Sequence, residues 1–125
     1  MSYKLGDRSI KNLEGVDTRM CDIVKLAITI TKQDFTVTEG LRTLARQKQL
    51  VKEGYSKTLN SKHLTGLAVD MYPYYDGSVH VNAPHEKFLA ISQAMKEAAE
   101  QLGYNITWGG DWKSFVDKPH YQLEV

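Results

Sequence analysis

Ser61-Lys62-His63-Leu64-Thr65-Gly66-Leu67-Ala68-Val69-Asp70 is the stretch around which the rest of the chain is read. Its second half continues as Leu67-Ala68-Val69-Asp70-Met71-Tyr72, apolar on both sides and closed by Pro73, which predicts a central strand. His63 and Asp70 lie an odd number of positions apart, so on one continuous strand they would face opposite sides. Gly66 resolves the conflict by permitting a sharp turn. His63 then sits on a loop folded back over the strand that carries Asp70.

A second cluster, Asp117-Lys118-Pro119-His120, repeats the pairing of carboxylate and imidazole. Pro119 excludes a helix interior and fixes the backbone just before His120, which can start the last strand with its ring on the side of Gln122. Three ligands, His63, Asp70 and His120, leave a fourth tetrahedral position for water, the arrangement of a catalytic zinc site. Asp117 is then a spare carboxylate for proton transfer. A plainer reading stands beside this one: His63 and His120 as surface or capping residues, and Asp117 as a turn former before Pro119. His80, in a polar loop, and His85, in the first turn of a helix where a cation is disfavoured, are assigned no chemistry.

Outward from these clusters the chain reads as scaffold. Residues 2–15 are polar with sparse anchors at Leu5, Ile10 and Leu13, an arm packed on the surface. Asp17 caps a helix to about Gln33, with Met20, Ile23, Val24, Ala27 and Ile28 at helical spacing. Asp34–Thr38 alternates as a strand, and Glu39-Gly40-Leu41-Arg42 turns. Thr43 caps a helix to about Glu53, closed by Gly54, and residues 55–62 form a loop that delivers His63. After a polar loop around Asp76-Gly77, Asn82 and Pro84 open the clearest helix, lined by Phe88, Ile91, Met95, Ala98 and Leu102 and ended by Gly103. Asn105–Trp108 and Tyr121–Val125 are further strands. The expectation is an α+β fold, a single domain over residues 1–125 with a small antiparallel sheet of about four strands and three helices.

The 125 residues, 42% hydrophobic and 25% charged, have the composition of a soluble globular protein. A formal charge of +1 gives no argument for nucleic-acid binding. No apolar run approaches the ~20 residues that span a bilayer, and no export signal is seen, so synthesis in the cytoplasm is expected. The lone Cys21 falls among apolar helix positions and reads as an inert buried thiol.

Ser61-x-His63-x-x-Gly66-x-Ala68-x-Asp70, Trp108-Gly109-Gly110-Asp111-Trp112 and Asp117-x-Pro119-His120-x-Gln122 occur in this order. Upstream stand Arg8-Ser9-Ile10-x-Asn12-Leu13-x-Gly15-Val16 and Gly40-Leu41-Arg42-Thr43 with Gln47. Across nearly its whole length the chain resembles the zinc D,D-carboxypeptidase and L-alanyl-D-glutamate endopeptidase family of bacterial cell-wall enzymes, phage endolysins above all. The resemblance implies one catalytic zinc on His63, Asp70 and His120, with Asp117 as acid/base. It also implies that Arg42 faces the substrate, where it could grip a free carboxylate or a developing oxyanion; a structural ion pair with Glu39 is the other reading. Ser61 is open between hydrogen-bonding substrate and holding the loop of His63, and Trp112 between cleft wall and core. Glu39 departs from the family, which often has a small hydroxyl residue before the glycine.

The activity implied is a phage endolysin that cuts the L-alanyl-D-glutamate bond of the peptidoglycan stem peptide and lyses its host. The alternatives are a D,D-carboxypeptidase removing terminal D-alanine, and a non-catalytic zinc-stabilised wall-binding module. The expected protein is a monomer that binds no nucleic acid, does not insert in membranes and has no separate wall-binding domain. It is made in the host cytoplasm and reaches the wall through a separate membrane-permeabilising protein.

Overall fold

In the computed structural model, which describes residues 2–56 and 61–125, the strand through Asp70 does run through the middle of the sheet. β1 (Phe35–Glu39) and β5 (His120–Leu123) pair antiparallel with the two edges of β2 (Ala68–Tyr75), and β4 (Ile106–Trp108) adds outside β5. Along β2, Val69 and Met71 point into the core, while Asp70 and Tyr72 alternate onto the other face. The helices α2 (Thr18–Ile30) and α4 (His85–Leu102) pack together over the core face. Met20, Ile23, Val24, Ile91 and Met95 fill the space between. The opposite face is left to the clustered polar residues.

Four features differ from the sequence reading. β2 does not stop at Pro73 but runs to Tyr75, because the ladder with β5 ends at Asp70 and Pro73 need offer only its carbonyl, to the His80 N–H at 3.0 Å. The loop at Asp76-Gly77 is a two-residue hairpin to a fifth strand, β3 (Ser78–Val79). Both turn residues have positive φ, 51° and 78°, the primed geometry that matches strand twist and favours Asp-Gly. α2 ends at Ile30 rather than Gln33: Thr31 turns extended and donates its hydroxyl to the Gln33 carbonyl at 2.8 Å. β5 starts at His120, as the fixed backbone before it allows, but ends at Leu123 rather than Val125.

The N-terminal arm is the largest correction. Residues 7–12 form a short helix, α1 (Asp7–Asn12), lying along β1. The buried Ser9 Oγ accepts the Val37 N–H at 2.9 Å, and Asn12 Nδ2 donates to the Val37 carbonyl at 2.8 Å. Two side chains thus stand in for a neighbouring strand and close the free edge of β1. On the far side of β1, Thr43 caps α3 (Leu44–Lys52) by accepting the Arg46 N–H at 3.1 Å. Residues 57–60 of the expected loop lie outside the described residues. The Cys21 thiol is half-buried against the carbonyls of Leu13 and Val16, each 3.6 Å away, and burial pushes its pKa up.

Candidate metal centre

Asp70 stands in a row that crosses three strands, with Glu39 opposite on β1 and His120 opposite on β5. The row depends on a bulge in β1 between Val37 and Glu39. Val37 packs in the core opposite Met71, and the extra residue brings Glu39, not Thr38, across from Asp70. His63 reaches the same place from a 3-10 helical turn, Lys62–Thr65, capped by Ser61, whose Oγ accepts the His63 N–H at 3.2 Å. Gly66 closes the turn at φ 74°, and a Cβ there would lie 2.7 Å from the Gly15 carbonyl oxygen. Sequence and structure agree on why that glycine is needed.

Each imidazole has one nitrogen tied to a carbonyl-type oxygen. His63 Nδ1 is 2.8 Å from the Gly40 carbonyl, and His120 Nε2 is 2.8 Å from Gln122 Oε1. Gln122 donates its own amide N–H to Glu124 at 2.8 Å, which leaves its oxygen for His120. Both anchored nitrogens therefore carry the hydrogen. The other two, His63 Nε2 and His120 Nδ1, point lone pairs at Asp70 Oδ1 from 3.2 Å and 3.4 Å. Three acceptors facing one another repel unless a proton or a cation lies among them. The ligand atoms of His63, Asp70 and His120 fall within 4.8 Å of one another, so the group can hold a metal ion. Outer N–H groups fixed on carbonyl oxygens are the usual support for such a site.

The two carboxyls of the site are driven in opposite directions. Burial works against ionisation of Asp70, but when a proton lies between it and either imidazole, the hydrogen bonds with His120 and His63 outweigh burial and hold the carboxyl well below the usual range. Asp117 is pushed up by its burial and by the charge on Asp70, against a weaker pull from both imidazoles and Arg42. Its side chain faces the same cleft but lies outside the three-ligand cluster. The loop that carries it is pinned at Gly109, whose carbonyl accepts the Asp117 N–H at 3.0 Å. A Cβ at Gly109 would collide with the Asp117 carbonyl oxygen and press on His120 Cβ at 3.1 Å.

A family model described as phage L-alanyl-D-glutamate peptidase matches residues 1–124. The chain belongs to that family. It is 34% identical over 120 residues to the L-alanyl-D-glutamate peptidase of Escherichia phage T5, covering 94% of this chain and 87% of that protein. It is 30% identical over 125 residues to the peptidoglycan L-alanyl-D-glutamate endopeptidase CwlK of Bacillus subtilis (strain 168), over 90% of this chain and 74% of the relative. The crystal structure of the Serratia marcescens L-Ala D-Glu endopeptidase ChiX superimposes with a TM-score of 0.88 at 40% identity, covering 94% of this chain and 87% of that one.

In this member of the phage L-alanyl-D-glutamate peptidase family the centre lies in a cleft of about 1230 Å³ that extends past Asp70 on both sides. Arg42 lines it, but its side chain is only 7% exposed and its donors are engaged. Nε and Nη2 form a fork on Glu39 at 3.0 Å and 2.6 Å, Nη1 donates to Gln47 at 2.7 Å, and Nη2 lies 3.4 Å from Asp70 Oδ2. Ser61 holds the loop of His63, and the ring of Trp112 stands 5.2 Å from that of His120 on the cleft wall. His80 stacks on Tyr75 and His85 lies beside Trp108, both away from the cluster.

Three residues that support the candidate ligands escaped the sequence reading in those roles, Gly40, Gln47 and Gln122, whereas the Glu39–Arg42 ion pair is one of the two readings the sequence left open. Gly40 has a signal only in three dimensions, since a Cβ there would strike the Asn12 carbonyl oxygen of α1. The signal for Gln122 was its place two residues after His120, on the same strand face.

Proposed function

We propose that the chain is a zinc-dependent peptidoglycan peptidase, a phage endolysin that hydrolyses the bond between L-alanine and D-glutamate in the stem peptide and so lyses the host. The observation that carries this reading is the pair of anchored imidazoles aimed at Asp70, with a second carboxyl, Asp117, lining the same cleft and its proton affinity pushed up by burial and by Asp70. The names of the phage T5, Bacillus and Serratia relatives support the choice of bond. Zinc on His63, Asp70 and His120 would supply a Lewis acid that brings a bound water to a pKa of about 7 and polarises the scissile carbonyl.

Asp117 takes a proton from the attacking water and delivers it to the departing D-glutamate nitrogen as the C–N bond breaks. Its raised proton affinity suits both halves of that task. Arg42, committed to Glu39 and Gln47, orients the second oxygen of Asp70 and adds positive charge behind it. Trp112 shields His120 from the solvent side of the cleft. A cleft that continues on both sides of the centre favours an endopeptidase over an enzyme that trims a terminal D-alanine. The protein acts as a monomer on the wall after release by a separate membrane-permeabilising protein. Among the described residues no helix is long and apolar enough to cross a membrane.

Mass spectrometry of digested muropeptides tests the reading together with metal analysis. About one zinc per chain and a released peptide beginning with D-glutamate are expected. Loss of a single alanine per stem would make it a carboxypeptidase, and zinc without cleavage would leave a binding module.

A further inference from the structure

The two rims of the cleft differ in chemistry, and they lie on opposite sides of β2. On the β1 side, α1 presents Arg8 and Lys11, exposed and three positions apart on one helix face, and α3 presents the half-exposed Arg46. Glu14 is the exposed carboxylate there, and Glu39 is bound to Arg42 and lies 3.8 Å from Arg46 Nε. On the β5 side, β3, the residues just after it and the loop 112–119 present Val79, Val81 and Phe115. The hydrogen bonds of β2 fix these sides: Tyr74 N–H bonds Asp34 on one edge, whereas Met71 N–H and the Pro73 carbonyl bond Pro119 and His80 on the other. Among the described residues none of the cations lining the cleft belongs to β3 or to the loop 112–119, and Lys62, which lines it from the turn of His63, is held by the Leu123 carbonyl and Glu124.

The stem peptide has a matching asymmetry. D-glutamate continues the chain through its side-chain carboxyl and keeps a free α-carboxylate, so negative charge lies on the amine side of the cut bond. The acyl side, lactyl-L-alanine, is uncharged and apolar. Arg42 has its fork filled, so a substrate carboxylate must find its cation elsewhere.

We propose that the rim formed by Arg8, Lys11 and Arg46 is the subsite for carboxylates on the amine side of the cleaved bond, and that the Val79–Val81–Phe115 rim takes the lactyl-L-alanine side. The proposal rests on the peptidase reading above and sets the direction in which the peptide crosses the centre.

The test compares two synthetic stems, one with the free α-carboxylate and one with the carboxamide. The enzymes are the zinc-loaded wild type, Arg8→Gln/Lys11→Gln, and Lys25→Gln/Lys32→Gln as a charge-matched control on α2 and just past its end. The wild type should show the lower KM for the carboxylate stem. In Arg8→Gln/Lys11→Gln that KM should rise about three- to tenfold with kcat nearly constant, erasing the preference, as added salt should do to the wild type. The control should keep the wild-type preference. An unchanged KM in Arg8→Gln/Lys11→Gln, or an equal rise for both stems, overturns the subsite. A wild type that cuts neither stem before D-glutamate overturns the peptidase reading and the subsite with it.

Discussion

Asp117 and Gln122 act on the same centre in different ways, and single substitutions separate them. Asp117→Ala should fold and keep its metal yet lose about 100-fold or more of its cleavage rate, the usual weight of a positioned acid/base. Loss of metal in that variant would instead make Asp117 a ligand. Gln122→Ala should leave the chemistry intact but free the His120 ring, weakening zinc binding about 10- to 100-fold in a competition titration. Gln122→Glu, which keeps an acceptor for the imidazole N–H, should recover most of that loss. The cluster itself was legible because His63, Asp70 and His120 sit in motifs that occur together in the order of the resembled family, and the fold gathers the three. Gly40 was not, because it depends on a partner distant in sequence, the Asn12 carbonyl, and the register that sets Glu39 across from Asp70 was hidden for the same reason.

At the level of elements, α1 has the function that sequence patterning hides. Its apolar positions are too few to announce a helix, and the residue that matters, Ser9, is polar and buried. Ser9→Ala would strand the Val37 N–H without a partner, at a cost of about 1–3 kcal/mol in denaturant unfolding. α2 shows the opposite case, for Asp17 was readable as its cap. The Arg19 side chain and backbone N–H hold the Asp17 carboxyl below its usual pKa. Stability from this ionised cap is therefore present above about pH 4 and lost as pH falls through the lowered folded-state value. Asp17→Ala should cost about 1 kcal/mol near neutrality, and the difference from wild type should shrink in acid. β2 passed beyond Pro73 because proline stops a strand only where its missing N–H is wanted, and β5 no longer runs there.

For the whole molecule the three ligands come from a turn, the middle strand and the last strand, so metal and fold are coupled. Zinc removal should abolish cleavage and lower the thermal midpoint, with ~2.7 kcal/mol of stability restored at 100 times Kd. Readdition should recover both. A preserved midpoint without zinc would show a site formed independently of its ion. The sheet order places β1 and β5, far apart in the chain, against one strand, and the row Glu39–Asp70–His120 exists only when both have docked. Contacts of such long sequence separation form slowly. Metal capture is therefore expected to come late in folding. In a stopped-flow refolding experiment, helical signal should appear before a zinc indicator loses its ion to the protein, and a chain caught before β5 docks would be inert toward the wall.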